Sequence, residues 1–285
     1  IMAAAIPLGA FIYGAIRNAY NYQFRNVPLS FANLPAAFDG FKIVQISDIH
    51  SGSFTRTEPI QEVIEKINAL NVDLILFTGD IVNNVADEML PYKQVFNKLR
   101  AKHGVMSITG NHDYGDYAPW NSVEEKKDNF RRLVQTHKDM GWDILMNENR
   151  LIEKDGEKIA VLGIENWGAK MHFPKYGKME LAHAGTENIP FKLLMSHDPS
   201  HWDAQVRSLY PDIDLTLSGH THGFQFGIDN KFFKWSPVQW AYRQWAGLYQ
   251  EGKQFLYVNR GFGFIGYPGR IGILPEITVI ELKKA

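Results

Sequence analysis

The chain has 285 residues, 45% hydrophobic and 13% aromatic, which is apolar material enough for one or two domains with a sizeable core and argues against disorder. Its formal net charge is −1, so the basic excess of a phosphate-tracking nucleic-acid surface is missing. With no cysteine, disulfides and thiolate metal sites are excluded, and any redox compartment suits the chain.

Taken in order, residues 1–16 are apolar throughout, broken by Pro7, Gly9 and Gly14, and the first charge is Arg17. The run is shorter than the roughly 20 residues that span a bilayer. A secretory signal would carry positive charge ahead of its apolar run; here Arg17 and Arg25 come after it. Because the chain opens on Ile1 and not Met, residues 1–17 read as the end of a membrane helix cut within its span. The other reading is a buried N-terminal helix of the domain. As a membrane helix end, the segment places the rest of the chain on the cytoplasmic side through Arg17 and Arg25, with export as the alternative. Residues 18–40 read as a connector, since Pro28 and Pro35 break helix and Asp39-Gly40 signals a turn.

A single domain then runs over residues 41–285. A short β-branched strand over 41–47 ends in Asp48-Ile49-His50, an acid and an imidazole at a strand's carboxyl end, where open α/β sheets place ligands. Thr57 is placed to cap a helix with Ile60, Val63, Ile64, Ile67 and Leu70 at helical spacing. The next strand, 73–78, ends in Gly79-Asp80. A helix over 86–102 should turn Val95, Phe96 and Leu99 inward, with Gly104 just past its end. Strand 104–109 ends in Gly110-Asn111-His112-Asp113, so three strands in succession deliver ligand-type residues from the same end.

Ser122 with Glu125 has the form of a capping box, opening a helix with Phe130, Leu133 and Val134 inward and Gly141 as its stop. Strands 143–146, 150–153 and 157–164 read as antiparallel, the last two joined by the turn Asp155-Gly156. Residues 166–190 are long and aperiodic, the mark of a functional or mobile loop. Strand 191–196 carries His197-Asp198-Pro199, and a short helix comes next with Trp202, Val206 and Leu209 inward. Strand 213–217 runs into Gly219-His220-Thr221-His222-Gly223. Beyond it come an aromatic-rich loop over 231–249, a strand over 255–258, the run 259–263 and a closing strand over 277–282.

In the run 219–223, two imidazoles two residues apart fall on one side of an extended backbone. The flanking glycines let that backbone turn sharply and approach something closely. Imidazole is the commonest side-chain metal ligand, yet two histidines alone suit a plain surface loop equally well. The partners upstream decide between them.

Those partners form an ordered series: Asp48-x-His50, Gly79-Asp80, Gly110-Asn111-His112-Asp113, the lone His197, and Gly219-His220-x-His222. In that order they resemble the calcineurin-like metallophosphoesterase superfamily. The tail, with Gly247-Leu-Tyr, Leu256-Tyr-Val-Asn-Arg-Gly-Phe-Gly and Pro275-Glu-Ile-Thr-Val-Ile-Glu-Leu, is similar to that of its bacterial membrane-associated or exported phosphodiesterases. The resemblance implies an α/β (α+β) fold, a four-layer αββα sandwich of two mixed β-sheets with flanking helices, as the catalytic domain over residues 41–285.

It also implies two divalent metal ions, the first on Asp48, His50, Asp80 and His222, the second on Asp80, Asn111, His197 and His220, with Asp80 bridging. A carboxylate bridge can hold two cations about 3.5–4 Å apart, and a water they share becomes hydroxide near neutral pH. Nitrogen and oxygen ligands without sulfur suit Mn, Fe, Zn or Co, with Mn favoured. The implied reaction is in-line hydrolysis of a phosphodiester or pyrophosphate. Asp80 and His112 would be catalytic, His112 stabilising the transition state or protonating the departing oxygen, and Asn111 would also touch substrate. The implied partner is a phosphorylated small-molecule or lipid-linked substrate near a membrane, with no nucleic acid. Some branches carry a carboxylate three residues after the bridging Asp; this chain has Asn83, so either Asp113 orients His112 or the histidine is less basic than usual.

The other five histidines, His103, His137, His172, His183 and His201, read as structural. Arg260 reads either as a bidentate phosphate clamp or as a surface salt bridge. Trp235, Trp240 and Trp245 recur every five residues, a spacing of neither helix nor strand, so core packing is the default and a lipid-facing lip the minority reading. The rival function is a non-catalytic, metal-binding scaffold of the same fold acting as a binding module, whose mark would be lost ligands. A metallo-β-lactamase-type hydrolase needs a His-x-His-x-Asp-His run, which is absent.

Overall fold

The computed structural model describes residues 2–171, 173 and 175–285, so His172 lies outside the described residues. Among the described residues, fourteen strands form two six-stranded sheets and a two-stranded ribbon. The first sheet is built from β1 (Gln23–Phe31), β2 (Lys42–Ile46), β3 (Leu74–Phe77), β4 (Val105–Ser107) and β5 (Trp142–Ile144), with β14 (Glu276–Lys284) inserted beside β2; its order is β1-β14-β2-β3-β4-β5. The second contains β6 (Glu148–Lys154), β7 (Glu157–Gly163), β8 (Lys192–Met195), β9 (Leu215–Ser218), β12 (Gly247–Glu251) and β13 (Gln254–Val258), in the order β12-β13-β9-β8-β7-β6. The ribbon pairs β10 (Ile228–Asp229) with β11 (Lys234–Trp235).

Side-chain alternation in the central strands explains the layering. In β3, Leu74 and Leu76 face the second sheet, while Ile75 and Phe77 face helices. In β7, Ile159 and Val161 face the first sheet, and Ala160 and Leu162 point the other way. Both faces are covered, so these strands read as continuous apolar runs instead of alternating ones. Outside the first sheet lie α2 (Glu58–Ala69), through Ile60, Val63, Ile64 and Ile67, and α4 (Val123–Asp139), through Leu133. Outside the second lie α5 (Met179–His183), through Met179 and Ala182, and a π turn over Trp202–Val206 continued by α6 (Arg207–Leu209). The result is the expected αββα sandwich of two mixed sheets.

Several local expectations change. The stretch expected to be a connector contains β1, paired in parallel with β14 from Gln23↔Glu276 to Phe31↔Lys284. Pro28 is tolerated because β1 is an edge strand, where a missing N–H need not leave a ladder bond unmade. The helix expected over 86–102 is a 3₁₀ turn at Ala86–Met89 and a one-turn α3 (Lys93–Phe96), since Pro91 interrupts it, although Val95, Phe96 and Leu99 are still buried. β5 runs parallel to β4 in the first sheet, because the chain returns to it through α4 and a helical crossover delivers a parallel neighbour. Leu70 and Leu209 are exposed. Ser122 Oγ accepts the Glu125 N–H at 3.1 Å, but the Glu125 carboxylate reaches back to the N–H of Asn121 and not to that of Ser122.

The apolar N-terminus forms α1 (Met2–Ile16), a 15-residue helix. Among the described residues no helix is long and apolar enough to cross a membrane. Neither is α1 a buried helix of the core: Gly14 packs on Tyr267 and Arg270, while Leu8, Phe11, Ile12, Tyr13 and Ile16 are exposed.

The inter-sheet layer sets the stability of the frame that carries the site. Leu76→Ala, a truncation of a fully buried residue in that layer, should lower the unfolding free energy by about 2–5 kcal/mol. Denaturant melts should show a lower midpoint at unchanged slope, with exposed Leu181→Ala as a near-neutral control.

Candidate metal centre

The carboxyl ends of β2, β3 and β4 in one sheet and of β8 and β9 in the other converge, and the segments just beyond them carry the expected ligands. Five of these residues hold left-handed backbone: Asp48 (φ 51°), His50 (φ 48°), Asp80 (φ 61°), His220 (φ 72°) and His222 (φ 51°). Such conformations cost free energy and cluster at functional sites. Glycine is needed where the segments touch. A Cβ on Gly110 would lie 2.2 Å from Asp80 Oδ1, and one on Gly219 2.2 Å from Asp48 Oδ2.

Two groups of donors result, each with ligand atoms within 4.8 Å of one another: Asp48, His50 and His222, and Asp80, His197 and His220. His50 Nε2 lies 3.0 Å from His222 Nε2, which is 3.3 Å from Asp48 Oδ1. Asp80 joins the groups, its Oδ2 standing 3.1 Å from His197 Nε2 and 3.6 Å from His50 Nε2. Its other oxygen, Oδ1, accepts the backbone N–H of His112 at 2.8 Å.

Hydrogen bonds behind the rings set which nitrogen faces the site. His197 Nδ1 donates to the Thr78 carbonyl at 2.7 Å, which turns its buried Nε2 toward Asp80 Oδ2, 3.1 Å away. His220 Nε2 is 2.9 Å from the Tyr242 hydroxyl, which donates to Asp198 Oδ2 at 3.3 Å. Burial and Asp198 push the Tyr242 phenol up, so it keeps that proton. His220 Nε2 is therefore the donor, and its Nδ1 lone pair faces Asn111 Oδ1 at 2.8 Å, while Asn111 Nδ2 is spent on the Tyr117 hydroxyl. Two acceptors facing each other, beside a buried carboxylate shared between imidazoles, are what a cation would satisfy; the donor set fits divalent metal.

The charges agree. Burial would raise the carboxyls of Asp48 and Asp80, but His222 beside the first and His197 beside the second hold both well below the usual carboxylate range. Burial, with His222 adding, pushes His50 down to about 3, and burial also lowers His220, so both imidazoles are held neutral. His197 differs: burial opposes its charge, yet Asp80 and Asp48 prevail and raise it to about 10.

The structure resolves what orients His112. Its Nδ1 lies 2.7 Å from the backbone carbonyl of Asn83, so the side chain at position 83 does not matter for this contact. Asp113 does something else, accepting the N–H groups of Asp80, Ile81 and Gly110 at 2.8–3.0 Å. Burial and Asp80 push its carboxyl up to about 7.

Arg260 is neither a phosphate clamp nor a surface salt bridge. It is buried, with Nη1 2.6 Å from Glu276 and Nε 2.7 Å from Asp229, and it does not reach the cleft. His201 lies between Ser196 and Gln205, His137 on Ser107, His183 on Asp212 and His103 against Phe41. Trp245 is buried as expected of core packing, but Trp240 is exposed.

Sequence reasoning missed Tyr242, Tyr117 and Arg270. Arg270 is buried and donates to the carbonyls of Arg260, Gly261 and Gly263, with its Nη2 3.3 Å from His222 Nδ1. Only Asp198, adjacent to His197, carried a local signal. The donors open into a cavity of about 600 Å³, walled by Tyr117, Phe173, Phe224, Val238, Tyr242 and Ile265.

Against known families, residues 41–224 match the one described as calcineurin-like phosphoesterase. The uncharacterized metallophosphoesterase YkuE of Bacillus subtilis is 34% identical over 257 residues, covering 88% of this chain and 82% of its own. A Danio rerio protein named as a transmembrane protein with metallophosphoesterase domain is 29% identical over 294 residues, covering 100% of this chain. This chain spans 63% of that protein. Among solved structures, the NAD nucleotidase of Haemophilus influenzae shares the fold, with a TM-score of 0.52 at 15% identity over 78% of this chain and 45% of its own.

Because His197 is raised to about 10, metal-free protein at pH 7 carries a proton on an imidazole that a cation would need. Loading with Mn should therefore release about one proton per chain at pH 7, and affinity should fall as pH falls. Calorimetry in buffers of different ionisation enthalpy measures this. Heats independent of buffer would remove His197 from the ligand set.

Proposed function

We propose, given that the chain belongs to the calcineurin-like phosphoesterase family and is a metal-dependent phosphoric ester hydrolase, that it cleaves a phosphodiester or pyrophosphate with a dinuclear centre. Asp48, His50, Asp80 and His222 would hold one divalent ion and Asp80, Asn111, His197 and His220 the other, with Mn favoured over Fe, Zn or Co. The observation that carries this is the pair of buried donor groups joined at one oxygen of Asp80. None of the seven residues is lost from the chain, which supports this reading over the scaffold.

Bound divalent cations would polarise the phosphoryl oxygens and lower the pKa of a water. The chain does the rest. Asp48 and Asp80 supply fixed negative charge in a water-poor floor, and the bonds behind His197 and His220 keep those rings from turning. His112, which lines the cleft, has Nδ1 committed to Asn83 and so keeps Nε2 to hold or deliver a proton to a departing oxygen. Tyr117 lies against it, ring centroids 4.5 Å apart, and limits its rotation.

Charge supports diesters over monoesters. The described residues lining the cleft include no Lys or Arg, and Lys170, which meets its wall at Ala241 and Tyr242, is engaged by the Ala241 carbonyl, so a dianionic monoester finds little side-chain cation there. A singly charged diester with an organic group on each side suits the apolar walls better. A membrane location draws support from the relatives whose names call them transmembrane. Arg17 after the apolar helix favours the cytoplasmic side, with export as the alternative, whereas Arg25 is engaged by Asp229 within the domain.

His112→Ala should lower turnover of an alkyl diester by about 10²–10⁴ while metal content stays at the wild-type level. The loss should shrink for a nitrophenyl leaving group, which needs no proton. Undiminished turnover of the alkyl diester would make His112 structural. In a parallel assay with added Mn, bis-nitrophenyl phosphate should exceed nitrophenyl phosphate in kcat/KM; the reverse order would overturn the diester reading.

A further inference from the structure

An apolar surface runs from α1 to the lip of the cleft. The helix seats one edge on the 267–271 segment: Phe11 meets the Tyr267 ring edge-on at 5.3 Å, the Tyr267 hydroxyl donates to the Phe11 carbonyl, and Arg270 N–H donates to Gly14 O at 3.2 Å. That segment is tied to the cleft wall by Gln225, whose side chain holds the carbonyls of Tyr267 and Gly269 and the N–H of Ile265. Phe226 bridges to Ile271, and from it Trp235 and Trp240 continue ring against ring at 6.3 and 6.2 Å. Phe224 and Ile265 belong to the cleft itself.

Along this path large apolar side chains stand in water: Phe232 is 93% exposed, Trp240 76%, Ile16 73% and Phe224 61%. Monomeric soluble domains rarely leave so much contiguous apolar surface without a partner for it.

The charge around this surface has one sign. Across residues 8–17, 224–243 and 264–271 the only carboxylate is Asp229, which is consumed by Arg25 and Arg260. Exposed Arg17 and Lys231 have no ion pair among the described residues, and Arg243 is mostly exposed with one loose partner at 3.9 Å. A second copy of the chain would bring the same cationic rim and no carboxylate to meet it. Anionic lipid headgroups meet it directly, while aromatic rings suit the headgroup–acyl boundary.

We propose that this collar, from α1 through Tyr267 and the β10–β11 ribbon to Trp240, docks on an anionic phospholipid bilayer, so that the cleft opens at the headgroup level. Its substrate is then an amphiphilic phosphodiester of that bilayer; this half of the proposal rests on the phosphodiester reading above. Phe224 and Ile265 contact the acyl-proximal part of such a molecule while its phosphate reaches the donors on the floor. Two signals act together, apolar insertion and headgroup attraction, as stable peripheral binding requires.

The test uses the full chain and vesicles of phosphatidylcholine with and without phosphatidylglycerol. Wild type should float with the anionic vesicles, less with the neutral ones, and less again at high salt. Phe232→Ser/Phe233→Ser, and separately Trp240→Ser on another element, should each partition roughly tenfold more weakly. None of the three side chains lines the cleft, so turnover of a water-soluble diester should be unchanged, which also certifies folding. Turnover of a phosphodiester lipid embedded in the vesicles should fall about tenfold, in step with partition.

Wild type that stays in solution with anionic vesicles overturns the proposal, as do variants that float like wild type. So does a wild-type dimer that these variants convert to monomer, which would assign the collar to self-association. Flotation is read without turnover: a failure to cleave any soluble diester would count against the phosphodiester reading and leave the docking result standing.

Discussion

Asp80 is a carboxylate with almost no access to solvent, and most of the site can be understood as the means of keeping it ionised there. One oxygen accepts the His112 N–H, and the other stands between His50 and His197. Asp113 holds the backbone of the same turn by three N–H groups, although burial and the Asp80 charge push its own carboxyl up. A buried charge is tolerable only when paired and hydrogen-bonded. Here the pairing falls between histidines from opposite sheets, so the same electrostatic requirement that settles Asp80 draws the two halves of the sandwich to one point.

The rings around it are fixed from behind by a different partner each time: a backbone carbonyl for His197, another for His112, and a Tyr242–Asp198 relay for His220. These contacts decide which nitrogen lone pair faces the floor, which is the difference between a histidine near a cation site and a ligand. Arg270 acts on the backbone instead, gathering the carbonyls of 260–263 beneath His222. Most groups of the floor are buried and hydrogen-bonded, which leaves them little freedom to reorganise.

Floor and rim obey opposite rules. The floor is polar and mostly buried; the rim is apolar and exposed, flanked by Arg17 and Lys231, which have no ion pair among the described residues. That division is the one the proposed bilayer docking would use, with polar donors on the floor of the cleft and apolar side chains at its lip. The N-terminal helix contributes to the rim and not to the floor, reaching the cleft only through the Tyr267 segment and Gln225.

The candidate donors were legible before any fold was known. Each proposed ligand sits in a short motif at the end of an apolar strand, and the chemical type and local spacing of residues 48–50, 79–80, 110–113, 197 and 219–223 are visible without knowing where the chain goes next. Most strand and helix positions were legible for a related reason, because periodicity is a local property, whereas the layering was implied by the resemblance; local reading failed where Pro91 broke a helix, where Pro28 disguised an edge strand, and where the partner of β5 lay outside its own segment. What tertiary structure alone decided are the relations between distant residues. The hydrogen bond that orients His112 spans 29 positions and the one behind His220 spans 22, and neither partner has a sequence signature. Arg260 looked available for phosphate because its charge is local information, whereas the carboxylates that consume it arrive from β10 and β14. Burial is a property of the assembled chain, and so are the unpaired charge and exposed rings of the collar.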